Sequence, residues 1–258
     1  MTDLANAGHP DWLRPDWDVP GVGALMTTRR GGVSERPFAG MNIRAGLGDD
    51  PAAVAHNQAL LAASIGAKPV YLDQVHGHGV VRLTSSHVGG LPQADASVCT
   101  EPGLACTVQV ADCLPVLFAA PGARGVAGAH AGWRGLSAGV LEATLESLCE
   151  AAACAPAEVQ VWLGPCIGPR RFEVGADVLR AFGTDASDET SALFRPHAPG
   201  KWMADLAGLA RQRLRAAGVT QLSGGDWCTF EDDSRFFSFR RDGVTGRMVA
   251  AIWLERRV

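Results

Sequence analysis

Apolar residues recur along the chain at two periods, and the period switches several times. Ahead of the first switch, Gly8 to Gly23 carries three prolines and two tryptophans without helical spacing, which predicts an arm leading into an edge strand. The next stretch, ALMTTRRGGVSERPFAGMN, is a short apolar strand running into a tight basic turn at Arg29, Arg30, Gly31 and Gly32. At Asp49-Asp50-Pro51 an acidic cap precedes a proline, and apolar positions then return at Val54, Leu60, Leu61 and Ile65. That pattern predicts a helix ending near Gly66. From Val70 to Ala129 the texture becomes a series of short β-rich runs, VYL, VVRL, ACTVQV, LPVLF and GVAGA, separated by Gly, Pro and Asp. These predict strands of a mixed or antiparallel sheet. Leu136 to Ala153 regains helical spacing and predicts a helix packed on that sheet. VQVWLG reads as a strand, FEVGADVLRAFG as a helix, and DLAGLARQRLRAAGV as a third helix, basic on a solvated outer face and ended by Gly218. RFFSFRR, an ordinary strand with one solvated face, and MVAAIWL read as a closing hairpin around Asp242-Gly243. Helices and strands interleave without a regular βαβ repeat, and neither G-x-G-x-x-G nor a Walker loop occurs, which disfavours a nucleotide-binding Rossmann fold. The expected class is α+β.

Composition narrows this further. With 258 residues, 47% apolar and 19% charged, the chain has material for a large core and is neither disordered nor collagen-like. The length favours one domain over 1–258, with 1–22 as an N-terminal arm. A net charge of −4 supplies no global field to recruit nucleic acid or an anionic membrane, so any anion must be bound locally. Seven cysteines are an odd number in a chain too large to need disulfide staples. The first residues show no basic, apolar signal pattern, and no apolar run approaches the roughly 20 residues of a membrane span. The expectation is a reduced, cytoplasmic protein.

Three short clusters put metal-capable side chains beside glycines and strand ends: DQVHGHG (73–79), VADCLP (110–115) and HAGWRG (130–135). His76, Cys113 and His130 lie much further apart in sequence than the roughly two to five residues of a local zinc knuckle, so a site containing them must be assembled by the fold. Two imidazoles and a thiolate suit zinc, and three ligands leave a fourth position open, as in a catalytic site. Each residue also has a plain reading, as a loop or core histidine or as a small buried thiol. The same residues allow another chemistry: Cys113 as a nucleophile activated by a histidine, with Asp112 or the second histidine orienting it.

At these residues the chain resembles the YfiH family, bacterial proteins named at different times laccase-domain or multicopper polyphenol oxidases and purine nucleoside phosphorylases. The resemblance runs through TTRRGGVS, MNIRAGLGDDPAAVAHNQALL, QVHG, ADCLPVLF, HAGWRG, GPCIGPRRFEVG, Asp205-Leu206 and CT...FFSFRRDGVTGR. It implies mixed β-sheets packed as a sandwich flanked by helices, with one zinc on His76, Cys113 and His130. It also implies phosphorolysis of adenosine, inosine and methylthioadenosine with phosphate, and deamination of adenosine. Editing of peptidoglycan precursors by an amide hydrolase and weak copper-dependent oxidation of phenols are the alternatives that it carries. One departure is visible: the family often has a histidine after the residue matching Asn42, where this chain has Arg44, Ala45, Gly46 and Leu47. A laccase-type four-copper centre needs about ten His and Cys ligands in His-x-His pairs; with seven histidines and one such pair, His76 and His78, the chain excludes it by counting.

Under the implied reaction, phosphate needs an arginine fork. Arg134 is the first candidate and Arg29 the second, against the alternative that Arg134 stacks on Trp133 or pairs with Asp112. Asp112 and Glu173 are candidate proton carriers for deamination, by motif position. Asn42 and Gln74 are candidates for hydrogen bonds to ribose or base, with turn formation as the competing reading.

Overall fold

The structure is a computed structural model that describes residues 8–17, 19–184 and 192–256. It begins with β1 (Val22–Met26), α1 (Pro51–Ile65), β2 (Lys68–Val70), β3 (Val80–Arg82) and β4 (Ala96–Cys99). Next come β5 (Leu104–Val110), β6 (Leu114–Ala119), β7 (Val126–Ala131), α2 (Trp133–Ser137), α3 (Val140–Ala152), β8 (Gln160–Leu163) and β9 (Glu173–Gly175). The last elements are α4 (Ala176–Ala181), β10 (Phe194–Ala198), β11 (Lys201–Ala204), α5 (Leu206–Ala216), β12 (Gln221–Gly224), α6 (Phe239–Asp242) and β13 (Met248–Leu254).

The strands form a four-stranded sheet β1-β13-β5-β2, a six-stranded sheet β12-β8-β6-β7-β4-β3 and a small sheet β10-β11-β9. The two large sheets are mixed: β2 runs parallel to β5, β12 to β8 and β3 to β4, and their other pairings are antiparallel. Period-two alternation sorts each strand's side chains between layers. On β6, Leu114, Val116 and Phe118 enter the core shared with α3 and α5, whereas Leu117 and Ala119 enter the core between the large sheets. The outer face of the four-stranded sheet, including Leu25, Val249 and Ala251, is covered by Leu61 and Ile65 of α1. The architecture is thus an α+β sandwich flanked by helices. Strand β13 lies between β1 and β5 and is buried at every position, which explains its unbroken apolar run.

Local signals account for most elements. The Asp50 side chain accepts from the Ala52 N–H at 3.0 Å to start α1, and Gly66 at φ 61° ends it. The expected helix over 136–153 is two helices, because Gly139 at φ 97° interrupts it. FEVGADVLRAFG is β9 followed by the short α4, and VYL contributes only its first residue to β2. The closing hairpin does not form. Phe236 and Phe237 are consecutive and both fully buried, which an alternating strand on one sheet face does not allow, and Ser238 instead caps α6 by accepting from Arg241 N at 3.2 Å. The basic face of α5 is solvated only in part: Arg213 donates to Glu142 at 2.7 Å, and Arg211 bonds the Gly224 carbonyl. The N-terminal arm is anchored by Leu13 paired with Met26 and by Trp12 Nε1 donating to the Arg30 carbonyl at 3.2 Å, while residues 1–7 of it lie outside the described residues. Among the described residues no helix is long and apolar enough to cross a membrane.

Candidate functional site

Strand register assembles the site at one end of the six-stranded sheet. Antiparallel pairing sets Pro115 opposite His130 and Ala96 opposite Ala129, which places Cys113 and Asp95 on either side of the end of β7. His130 N donates to the Asp95 carbonyl at 2.7 Å. The loop ahead of β3 brings in His76. It is tied to β5 by Gln74, whose amide donates to the Gln109 carbonyl and accepts from the Gln109 N–H, each at 2.9 Å. Two residues in the cluster hold left-handed backbone, His76 at φ 62° and Asp112 at φ 90°. Non-glycine residues rarely adopt that region unless the surroundings enforce it. Here the enforcing contact at His76 is the Asp95 carboxylate.

Asp95 is fully buried and saturated. One oxygen accepts from His76 N at 2.9 Å and from His130 Nδ1–H at 2.8 Å; the other accepts from Val75 N at 3.2 Å and Gly77 N at 2.6 Å. Burial alone would push this carboxyl up, but the bonds from His130, Gly77 and His76 outweigh it and hold the group below the ordinary carboxylate range. With Nδ1 bound to Asp95, His130 has Nε2 left for a ligand, the arrangement by which a carboxylate fixes a metal-binding imidazole.

The donor atoms of His76, Cys113 and His130 lie within 4.8 Å of one another, and Cys113 Sγ approaches His76 Nε2 at 3.8 Å. The two imidazoles meet edge to face at 4.8 Å between centroids. Burial opposes ionisation of Cys113, yet His130 and His76 bring its thiol down to about 6. Burial likewise opposes protonation of His130, yet Cys113 and Asp95 carry it up to about 9. Without a metal the pair is therefore a thiolate and an imidazolium near neutrality. Space for a ligated ion is reserved by Gly132, where a Cβ would lie 2.9 Å from His76 Cδ2 and 3.0 Å from Cys113 Sγ. Soft thiolate, two imidazoles, a buried carboxylate behind one of them and a glycine cradle fit a metal ion with an open position.

This cluster lies on a cavity of about 330 Å³ that also includes Arg44, Gln74, Gln109, Phe239 and Arg247 in its lining. Apart from Gln74, the other expected site residues lie elsewhere. Arg134 stacks on Trp133, its Cζ 4.4 Å from the ring centroid. Arg29 donates to the carbonyls of Ala39 and Asp233 and covers Phe237, so it ties loops together. Asp112 spends one oxygen on Thr229 Oγ1 at 2.6 Å and the other on Arg240 N at 2.7 Å. It anchors the 228–240 segment rather than facing the cavity. Glu173 sits near His197 at 3.6 Å and Lys201 at 4.0 Å, outside the lining. Asn42 is buried as a loop pin, donating to Asp49 at 2.8 Å and accepting from Arg247 N at 2.9 Å. Gln74 reaches the cavity, and its amide nitrogen and oxygen each bond the Gln109 backbone. Asp95, Arg44 and Arg247, which the sequence reading gave no role, stand beside or behind the cluster instead.

Comparison with known proteins gives a consistent picture. A family model described as multi-copper polyphenol oxidoreductase laccase matches residues 23–255. A purine nucleoside phosphorylase of Pseudomonas aeruginosa is 49% identical over 245 residues, covering 95% of this chain and 98% of the relative. The purine nucleoside phosphorylase YfiH of Escherichia coli is 48% identical over 244 residues, covering 93% and 97%. Among solved structures, a Neisseria meningitidis protein superposes with a TM-score of 0.88 at 42% identity, over 95% of this chain and all of that one. YlmD of Geobacillus stearothermophilus also gives 0.88, at 33% identity over 95% and 96%.

Proposed function

The chain belongs to the YfiH family, the laccase-domain proteins, and we propose that it is a zinc-dependent purine nucleoside phosphorylase acting at the His76, Cys113 and His130 cavity. The observation that carries this reading is the convergence of three donors and a carboxylate-fixed imidazole on a cavity of about 330 Å³, in a chain whose relatives bear that activity in their names. In the reaction the N9–C1′ bond of adenosine, inosine or methylthioadenosine breaks, its electron pair leaves with the base, and a phosphate oxygen bonds C1′ to give ribose 1-phosphate, or 5-methylthioribose 1-phosphate from methylthioadenosine. The base takes up one proton. Zinc, when bound, supplies Lewis-acid charge that copper also could provide at the same donors.

The chain's own residues supply position. Asp95 keeps His130 in one tautomer and fixes the 75–77 loop, so two of the three ligands are oriented before substrate arrives. Gln109 belongs to the cavity lining. Seven free thiols fit a reducing compartment, which we take to be the cytoplasm. Adenosine deamination at this cavity is the second activity that we assign. Among the described residues no Asp or Glu belongs to the lining, Asp112 and Glu173 included.

A second reading has its own observation. Cys113 as thiolate, His130 as imidazolium and Asp95 behind it form the ordered triple of a cysteine hydrolase, the chemistry suited to amide editing of cell-wall precursors. Incubation with inosine and phosphate separates the two. Hypoxanthine and ribose 1-phosphate in equal amounts select phosphorolysis; release of an amino acid from a muropeptide precursor, with nucleosides untouched, selects hydrolysis.

A further inference from the structure

Two arginines belong to the cavity lining beside the donor cluster, and among the described residues the lining holds no Asp or Glu to balance them. Arg44 comes from the loop before α1 and Arg247 from the turn before β13. Neither forms an ion pair among the described residues, whereas seven other arginines pair with Asp11, Glu231, Asp226, Glu142, Asp232 or Asp242. Both carboxylates near the cluster are already committed, Asp95 to His130 and the 75–77 backbone and Asp112 to Thr229 and Arg240.

Arg247 is held in place without being neutralised. Its Nη1 donates to the carbonyls of Thr245 and Gly246 at 3.0 and 3.1 Å, and its Cζ lies 5.7 Å from the Phe239 ring centroid. The Nε and Nη2 donors are bonded to no protein atom among the described residues. Burial and the charge of Arg44 both lower its hold on its proton, while Cys113 and Asp112 act the other way. Gathering two like charges in a partly buried cavity is costly unless an anion joins them. An arginine with an unspent face presents the planar fork that tetrahedral oxyanions accept.

We propose that Arg44 and Arg247 form an oxyanion subsite that takes inorganic phosphate beside the His76, Cys113 and His130 cluster. The assignment rests on the phosphorolytic reading for its ligand, and it transfers the phosphate role from Arg134 and Arg29, which are spent on Trp133 and on loop carbonyls. Phosphate held there lies in the same cavity as the nucleoside.

The test is calorimetric titration of the metal-loaded protein with inorganic phosphate, with steady-state kinetics on inosine in parallel. Wild type should bind phosphate saturably, and R247Q and R44Q should each weaken binding by about tenfold or more, the loss of one charge-assisted contact. In both variants KM for phosphate should rise while KM for inosine stays within about twofold, and R134Q should titrate like wild type. R247K should fall between wild type and R247Q, because it keeps the charge and loses the fork. Arg44 is partly exposed, so R44Q decides the matter if R247Q does not fold. Unchanged phosphate affinity in R44Q and R247Q, or a loss in R134Q alone, overturns the subsite. Phosphate binding that depends on Arg44 and Arg247, with no phosphorolysis by wild type, upholds the subsite and overturns the reading on which its ligand rests.

Discussion

Replacing Asp95 by asparagine tests how the site is held together. The carboxylate accepts two bonds at each oxygen, from His76 N and His130 Nδ1–H at one and from Val75 N and Gly77 N at the other. An amide of the same shape must put NH2 at one of these positions, facing two N–H donors whichever way it turns. Two donors then lose their acceptor in a fully buried place. At about 1–3 kcal/mol for each unsatisfied group, D95N should lose about 2–6 kcal/mol of stability. Its effect on the metal is separate: without a fixed carboxylate behind His130, affinity should fall by about 10- to 100-fold. Urea unfolding of the metal-free protein measures the first, and competition with a chromophoric chelator the second. A variant within about 0.5 kcal/mol of wild type would refute the stability reasoning, and lost stability with unchanged metal affinity would refute the orienting role given to Asp95.

The sign of the Asp95 shift gives a pH prediction. Its folded value lies below the ordinary 3.8, so its contribution is complete above that pH and fades as pH falls through and below it; the D95N deficit should therefore shrink in unfolding curves taken below about pH 4. For the metal, a Cys113 thiol near 6 and a His130 near 9 mean that this pair gives up two protons on binding below about pH 6, one between about 6 and 9, and none above. Apparent metal affinity should climb with pH accordingly, and a flat profile from 6 to 9 in chelator competition would contradict the thiolate and imidazolium assignment. In G132A the added Cβ must displace His76 or Cys113, so metal stoichiometry measured by elemental analysis should drop well below that of wild type while the variant stays folded.

The metal-capable residues are legible in the sequence because each is a soft or imidazole donor in a short motif bounded by Gly or Pro, where a side chain can leave a strand end. Asp95 is not legible. It is a single acid before the apolar run ASVC, and only the register of β4 on β7 shows that it reaches His130. Arg44 and Arg247 come from opposite ends of the chain and meet only through the tertiary structure. Among elements, α1, β5, β6 and β13 follow from periodicity and caps. RFFSFRR misleads because basic and aromatic residues imitate a half-solvated strand, whereas the Phe236-Phe237 pair needs burial on both sides. The β10–β11 hairpin escapes notice for the opposite reason: four of the five residues of β10 are exposed, so the strand shows no apolar alternation.

The central claim is that the His76, Cys113 and His130 cavity performs phosphorolysis. Phosphorus NMR of metal-loaded protein with inosine and phosphate tests it most directly, run beside C113A. Wild type should convert phosphate into ribose 1-phosphate in step with hypoxanthine, and C113A should produce neither while remaining folded. Free ribose without phosphate consumption, or undiminished conversion by C113A, would contradict the account.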